Sequence, residues 1–338
     1  MVKTNKIYTY IVDSLSAMSI GLFSTLIIGV ILENIGNAIV NISVISFVSE
    51  PLVAIGVAAK SMVGPAIAVA IAYKMSKNLL IIGASSVVGL LGYASGGPIG
   101  GYLSTVIAIE AGSLLKKNNP LRILLVPFVV LVTGYVSAIT LGQYAGYIMQ
   151  GIGMLVNETT TTHPLIMSMS IALIMGLLLT SPLSSAAISI MLQLSGLAAG
   201  AATVGCCVQM VGFASMGRKV NSLGSTIAVG LGTSMLQIKN ILLNPWLIVP
   251  PMLASVLIAP IGTIIFQLSS NPEGAGMGTS GLVGPLMIFT TMGFTTTSIL
   301  GVILVLFVLP IIVVQLFYHA LLKKNKVKDY QLKIDIDN

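Results

Sequence analysis

Residues 163–213 read HPLIMSMSIALIMGLLLTSPLSSAAISIMLQLSGLAAGAATVGCCVQMVGF. The stretch contains no Lys, Arg, Asp or Glu. An uncharged run of this length belongs in a bilayer, where about 20 apolar residues of helix cross the hydrocarbon. It is not two plain anchors, because Ser181-Pro182 interrupts it and Ser184, Ser185, Ser189, Gln193, Ser195 and Thr203 stud it. Irregular backbone at membrane depth survives only inside protein or beside a water-filled cavity. Broken apolar segments therefore point to a transporter's binding site. The alternative is that Pro and Gly only kink the helices and let them pack.

The rest of the chain agrees with a membrane setting. Of 338 residues, 56% are hydrophobic and 7% charged, against about 25% charged in soluble domains. The sequence predicts an all-α, polytopic helical membrane protein. The net charge of +7 comes from short Lys/Arg clusters between apolar runs, the pattern of the positive-inside rule. No basic stripe interleaves with aromatics, so nucleic acid is not an expected partner. Cys206 and Cys207 are adjacent in an apolar run and read as small buried hydrophobes rather than a disulfide. Lys3 and Lys6 precede an apolar segment that runs to about Leu32 with Asp13 inside it, which reads as a first spanning helix and not a cleaved signal peptide. Phosphate-binding loops, zinc motifs, dinucleotide fingerprints and nucleophile elbows do not occur. Enzymatic activity, a metal and a cofactor are therefore not expected.

In chain order, spans are expected at 8–32, 52–73, 123–150, 245–268 and 299–320. Residues 79–93 and 101–115, joined by YASGGPIGGY, are either two short spans or a hairpin. NETTTTH at 157–163 is a polar loop, 223–237 is Gly-rich, and NPEGAGMGTSG at 271–281 reads as a flexible loop. Basic residues at 74–77, 116–122 and 218–219 and the segment after residue 322 are expected on the cytoplasmic side. Two plain spans through 164–213 would put Arg218 and Lys219 on the wrong side. One re-entrant segment there removes the conflict, and the weak segment 284–298 is a second candidate. The expectation is about eight to ten spans plus two re-entrant or broken elements. Residues 1–322 form one transmembrane, transporter-like domain and 323–338 a short cytoplasmic tail. Val63-Gly64-Pro65 matches Val283-Gly284-Pro285, and Gly97-Pro98-Ile99-Gly100 resembles Ala259-Pro260-Ile261-Gly262. Inverted repeats and chance both explain these matches.

Candidate solute-binding residues follow from polarity in apolar surroundings. Lys60 is the foremost, since a cation near the bilayer midplane needs a partner or water. Its own helix face offers no acid, so Glu110 or Asp13 is the expected partner. Glu110 could bind a proton or a hydroxyl. Asn157, Glu158 and His163 flank the central stretch, and His163 could titrate near neutral pH. Gln193 lies within the stretch. Thr295 and Thr296 offer hydroxyls, with helix capping as the structural alternative. Gly196, Gly200 and Gly205 suit close helix packing rather than a ligand.

The run from NETTTTHP through LLLTSPLSSAAISIMLQLSGLAAGAATVGCCVQMVGF resembles the enzyme IIC-like membrane proteins of the sugar phosphotransferase system. More narrowly, it is similar to the stand-alone branch that includes the perfringolysin O regulator. The resemblance implies a multi-pass protein of the bacterial inner membrane, a homodimer, and a solute site made by broken helices and hairpins. In sugar-transporting members a hairpin Glu and a His contact the sugar. Here neither segment expected to re-enter carries a Glu, and His163 lies at a loop edge. No phosphocarrier domain is attached, although separate carrier subunits could dock. The expected function is membrane transport of a small polar solute, a sugar or sugar-like metabolite, without phosphorylation. The alternative is a membrane-embedded solute sensor that controls gene expression.

Overall fold

A computed structural model describes residues 6–40, 46–115, 120–160 and 163–334. Lys3, Asn41, Lys116, Lys117, Thr161 and Thr162 lie outside them. The described residues are helical, with no β-strand and one isolated bridge between Gly196 and Ser270. Among the described residues, six helices are long and apolar enough to cross a membrane, or seven if one bent pair is a single span. The protein is an all-α, multi-pass membrane protein. It divides into two compact units, residues 1–149 and 150–338.

The first unit opens with α1 (Lys6–Leu22) and α2 (Ile28–Ile39), joined by one π-turn at Phe23–Ile27. Next come α3 (Ser49–Ser61) and α4 (Val63–Met75), a pair bent by 57°. The bend falls at Met62, whose backbone leaves the helical region (φ −96°, ψ 13°). Helix α2 runs antiparallel to α3 at very short range. A methyl group added at Gly29 would lie 2.8 Å from the Gly56 carbonyl oxygen, and one at Gly56 would lie 2.6 Å from that of Gly29.

Helix α5 (Leu79–Ser113) is a hairpin rather than one rod. Gly96 and Gly97 leave the helical conformation, with Gly97 at φ +59°. A methyl at Gly92 would lie 2.8 Å from the Ser104 hydroxyl. A straight helix would separate residues 12 positions apart by about 18 Å, so the two arms fold onto each other. The Gly-rich YASGGPIGGY is the turn, because glycine tolerates left-handed backbone and lets the arms touch. Helix α6 (Arg122–Thr160) lies against this hairpin, with Gly134 on Val88 and Gly142 on Ser95. The expected eight to ten spans exceed the six that reach spanning length. The hairpin counts once by length although it doubles back, and α7 below falls one residue short.

The second unit is built on α7 (Pro164–Thr180) and α9 (Gly196–Gly217), with the seven-residue α8 (Ser185–Met191) between them. A methyl at Gly205 would meet the Ala172 carbonyl oxygen at 2.1 Å, Gly176 lies on Gly205 and Gln209, and Thr180 reaches Gln209. The numbers rise together, so α7 and α9 run parallel. The chain from 181 to 195 must then travel back along their length, about 26 Å for the 17 residues of α7. Ser181-Pro182 ends α7, and α8 is part of the return. This answers the charge conflict differently from a single re-entrant loop. Three traverses, of which the middle one is broken, place Arg218 at the opposite end of the bundle from His163.

After α9 the chain forms α10 (Leu223–Ile227), a π-turn at 228–232, a 3₁₀ turn at 234–237 and α11 (Ile238–Leu243). Helix α12 (Val249–Pro260) continues through a π-turn to Ile265. The short α13 (Pro272–Ala275) and α14 (Val283–Met292) precede α15 (Thr296–Gly301), which runs through a π-turn into α16 (Leu309–Lys323). Both Val-Gly-Pro triplets open a helix directly after a break, α4 after Met62 and α14 after the left-handed Leu282. The second pair of echoes differs: Gly97-Pro98 turns the hairpin, whereas Pro260-Ile261 continues a helix.

Candidate solute site

Two chain segments enter the second unit from opposite ends of α9 and meet near its middle. The first is residues 221–244. Asn221 Nδ2 donates to the Gly217 carbonyl at 3.0 Å, at the end of α9. The π-turn then passes Ala214, where a methyl at Gly230 would lie 3.1 Å from its Cβ. The helix stops at Thr233, which is extended (φ −158°, ψ 138°). Ser234 reaches Thr180 at 2.8 Å, and Gln237 returns to the level of Gly217.

The second segment is residues 268–292. Ser270 N donates to the Gly196 carbonyl at 3.2 Å, at the start of α9. Ala275 accepts a long contact of 3.7 Å from the Cys206 thiol, and Thr279 donates to Met210 Sδ at 3.5 Å. The chain then turns back. Gly284 lies on Thr203, Met287 Sδ accepts from Asn271 Nδ2, and Met292 Sδ accepts from Ser269 N, both at 3.2 Å. Gly278 sits at the tip with φ +55°, and a methyl there would lie 2.8 Å from the Cys206 backbone. The composition of 271–281 predicts a flexible loop. Its residues 274–276 and 278–280 are instead buried, because they turn against α9.

The tips touch. The Thr279 hydroxyl donates to the Gly230 carbonyl. That carbonyl belongs to the last turn before the chain breaks at Thr233, where helix carbonyls lose their partners. The return segment 181–195 lies on the same hairpin, with Ser185 Oγ donating to the Gly276 carbonyl at 2.6 Å and Ser189 Oγ to that of Pro272 at 2.8 Å.

Gln209 stands where these breaks converge. Its side chain is fully buried; Oε1 accepts from Thr180 at 3.4 Å, and Nε2 has no partner among the described residues. On the second hairpin the Ser280 hydroxyl, next to Thr279, is likewise buried and unpartnered; so is that of Ser270, which lies at the Gly196 end of α9, about 20 Å of helix from Gln209. A buried amide without a partner costs about 1–3 kcal/mol. The polar groups here are hydroxyls and a carboxamide, and the nearest acid on these hairpins is the exposed Glu273 in the first turn of α13. Neither Gln209 nor Glu273 stands out in the sequence. The signal for Gln209 was one amide amid uncharged residues. Glu273 was hidden by a Pro/Gly-rich context that also reads as a surface loop.

The residues singled out from the sequence are not gathered there. Lys60 pairs with Glu33, with the two side chains 32% and 26% exposed. Neither Glu110 nor Asp13 is its partner; the close Gly29–Gly56 crossing brings α2 and α3 together and sets Glu33 within reach. Glu110 accepts instead from the Tyr10 hydroxyl at 2.6 Å. Asn157 and Glu158 lie near the end of α6; Glu158 is exposed, and the Asn157 side chain is outside the described atoms. His163 caps α7, its Nδ1 accepting from Leu165 N at 3.4 Å, ahead of Pro164. Gln193 is an exposed left-handed residue (φ 48°) in the turn before α9. Thr295 forms a capping box with Ser298 at the start of α15, and Thr296 follows it, exposed. Gly200 and Gly205 serve packing as expected, Gly200 against the Leu268 carbonyl. No cluster of metal-binding side chains occurs among the described residues.

No curated protein and no solved structure matches the chain. A family model does, that of the phosphotransferase system EIIC proteins, over residues 12–334. The match takes in both units, including every broken segment described above, and the chain belongs to the phosphotransferase system EIIC family of sugar-type membrane transport components.

Proposed function

We propose that the chain carries a neutral, polyhydroxylated solute across the bacterial inner membrane without chemically changing it. The observation that carries this reading is the convergence of two opposed hairpins on Gln209, with its unpartnered amide among buried hydroxyls. Paired, uncharged donors and acceptors suit sugar hydroxyls, and half-helices that stop inside a bundle are where transporters bind solute. On this reading both hairpins are re-entrant, 221–244 from the cytoplasmic side and 268–292 from the other. Glu273 would accept a hydrogen bond from the solute near the outer mouth, and Thr180, Ser234 and Thr279 would line the passage. Of the residues expected from the sequence, Gln193, His163, Thr295 and Thr296 border the ends of these segments. Glu158 and Asn157 would act at the entry, and Lys60 and Glu110 would act within their own unit. Homodimerisation and separate phosphocarrier subunits belong to the same proposal.

The test is uptake of labelled sugars into vesicles loaded with phosphoenolpyruvate and the general phosphotransferase proteins, followed by chromatography. Free sugar inside is the expected result. Protein-dependent recovery of a phosphorylated sugar would overturn the claim of unchanged passage. Binding by thermal shift with no uptake at all would favour a sensor that controls gene expression.

A further inference from the structure

The segment that follows α16 is held in an unusual way. Four carboxamides, from Asn221, Gln237, Asn240 and Asn244, grip it. Asn221 Nδ2 and Gln237 Nε2 both donate to the Leu332 carbonyl, at 2.9 and 3.0 Å. Asn240 Nδ2 donates to the Lys333 carbonyl and Asn244 Nδ2 to the Lys326 carbonyl, both at 3.0 Å. Asn244 also donates to Gln331 Oε1 at 2.9 Å, and Ile334 N donates back to Asn221 Oδ1 at 2.8 Å.

These four residues are the two feet of one hairpin. Asn221 begins the 221–244 segment and Asn244 ends it, while Gln237 and Asn240 lie on its return. The strap thus ties both feet together. It is anchored by buried Val327 and Leu332, by Tyr318 OH donating to Asp329 at 2.7 Å, and by Lys326 5.1 Å above the Trp246 ring. Most of the grip is on strap carbonyls, so it holds a path of backbone and not one side-chain sequence. Its outer side carries exposed Lys324, Lys326, Lys328 and Lys333. The tip of the same hairpin carries Gly230 and Ser234, which contact Thr279 and Thr180 at the solute site.

We propose that residues 324–334 are a latch that ties the two feet of the 221–244 hairpin and so sets how readily its tip leaves the site. The function assigned to the latch rests on the solute-site reading above; the mechanical claim does not. A bonded strap bridging both feet raises the cost of moving them apart, and low-stability elements are the ones that move. With the strap in place the tip stays against Thr180 and Thr279. When the strap is lifted the hairpin opens toward the end of the bundle where Arg218 and Lys219 lie.

The test uses a cysteine in place of Ser234, in the otherwise complete protein reconstituted in liposomes, labelled with a water-soluble maleimide. The parent protein is the blank, since Cys206 and Cys207 are buried. Removing residues 325–338 is expected to speed labelling at least about tenfold, which is what losing one or two such hydrogen bonds amounts to. Amide hydrogen exchange should rise over 221–244 and stay unchanged over α9. The milder Asn240→Ala/Asn244→Ala pair keeps Leu332 in place and should give a smaller acceleration. Labelling unchanged in both variants overturns the latch. So does exchange that rises equally throughout the unit, because the strap would then hold the whole fold and not one hairpin. Failure of sugar uptake by the parent protein, with labelling and exchange as expected, would instead count against the solute reading.

Discussion

Lys60→Met tests the ion pair that the sequence placed wrongly. The substitution keeps the side-chain length and removes the charge, leaving Glu33 beside the Gly29–Gly56 crossing without its partner. Breaking a fully buried pair costs about 3–5 kcal/mol, and an exposed pair is worth about 0–1 kcal/mol. With 32% and 26% of the two side chains exposed, the expected loss is about 1–2 kcal/mol. That corresponds to roughly 3–6 °C in midpoint for a unit of this size. Glu33→Gln alone should cost a similar amount, since Lys60 is then the orphan. The double variant should recover most of the loss, because no part-buried charge remains. Glu110→Gln should give no recovery, as Glu110 is held by Tyr10. The assay is thermal unfolding of the four proteins in one detergent. Additive losses in the double variant, or a Lys60→Met protein as stable as the parent, would refute the pairing argument. Solute binding measured on the same set then separates roles: binding restored in the double variant makes the pair structural, and binding lost in it gives Lys60 a role of its own within the first unit.

Other expectations follow from the second unit. Gly205→Ala places a methyl 2.1 Å from the Ala172 carbonyl and should cost about 2–3 kcal/mol by overpacking, seen as a lower midpoint or aggregation on size exclusion. Gln209→Met removes the unpartnered buried amide and should leave stability unchanged or raise it by about 1 kcal/mol while abolishing sugar binding by thermal shift; a destabilised variant that still binds would sink this role. Thr295→Val removes the capping box of α15 and should cost about 1 kcal/mol, with binding largely kept if the hydroxyl only caps. Single cysteines at 219 and 324 should label from one side of the membrane, and those at 193 and 294 from the other.

Much of the fold was legible in the sequence because the bilayer is a severe solvent. Uncharged runs, charge clusters between them and the Ser181-Pro182 interruption follow from the cost of polar backbone in hydrocarbon. They were enough for an all-α, multi-pass protein with broken segments and for the family resemblance. Glycine spacing similarly announced a close helix contact without naming the partner; Gly205 makes it against α7 and Gly200 against the Leu268 carbonyl. The site was not legible in the same way. Lys60 stood out because a lone cation in an apolar run is costly, but which acid answers it depended on the Gly29–Gly56 crossing. Residues 223–237 and 271–281 looked like weak or flexible sequence, since a short half-helix buried by other helices needs no long apolar run of its own. Gln209 acquired its meaning only when two hairpins remote in sequence brought Ser234, Thr279 and Ser280 to the middle of α9. Residue patterning alone sets the solvent, the all-α class and some of the breaks, such as Ser181-Pro182 and the Gly96-Gly97 turn. The break at Met62 and the meeting of the two hairpins arise from the fold, because they depend on backbone-to-backbone approaches between segments tens of residues apart.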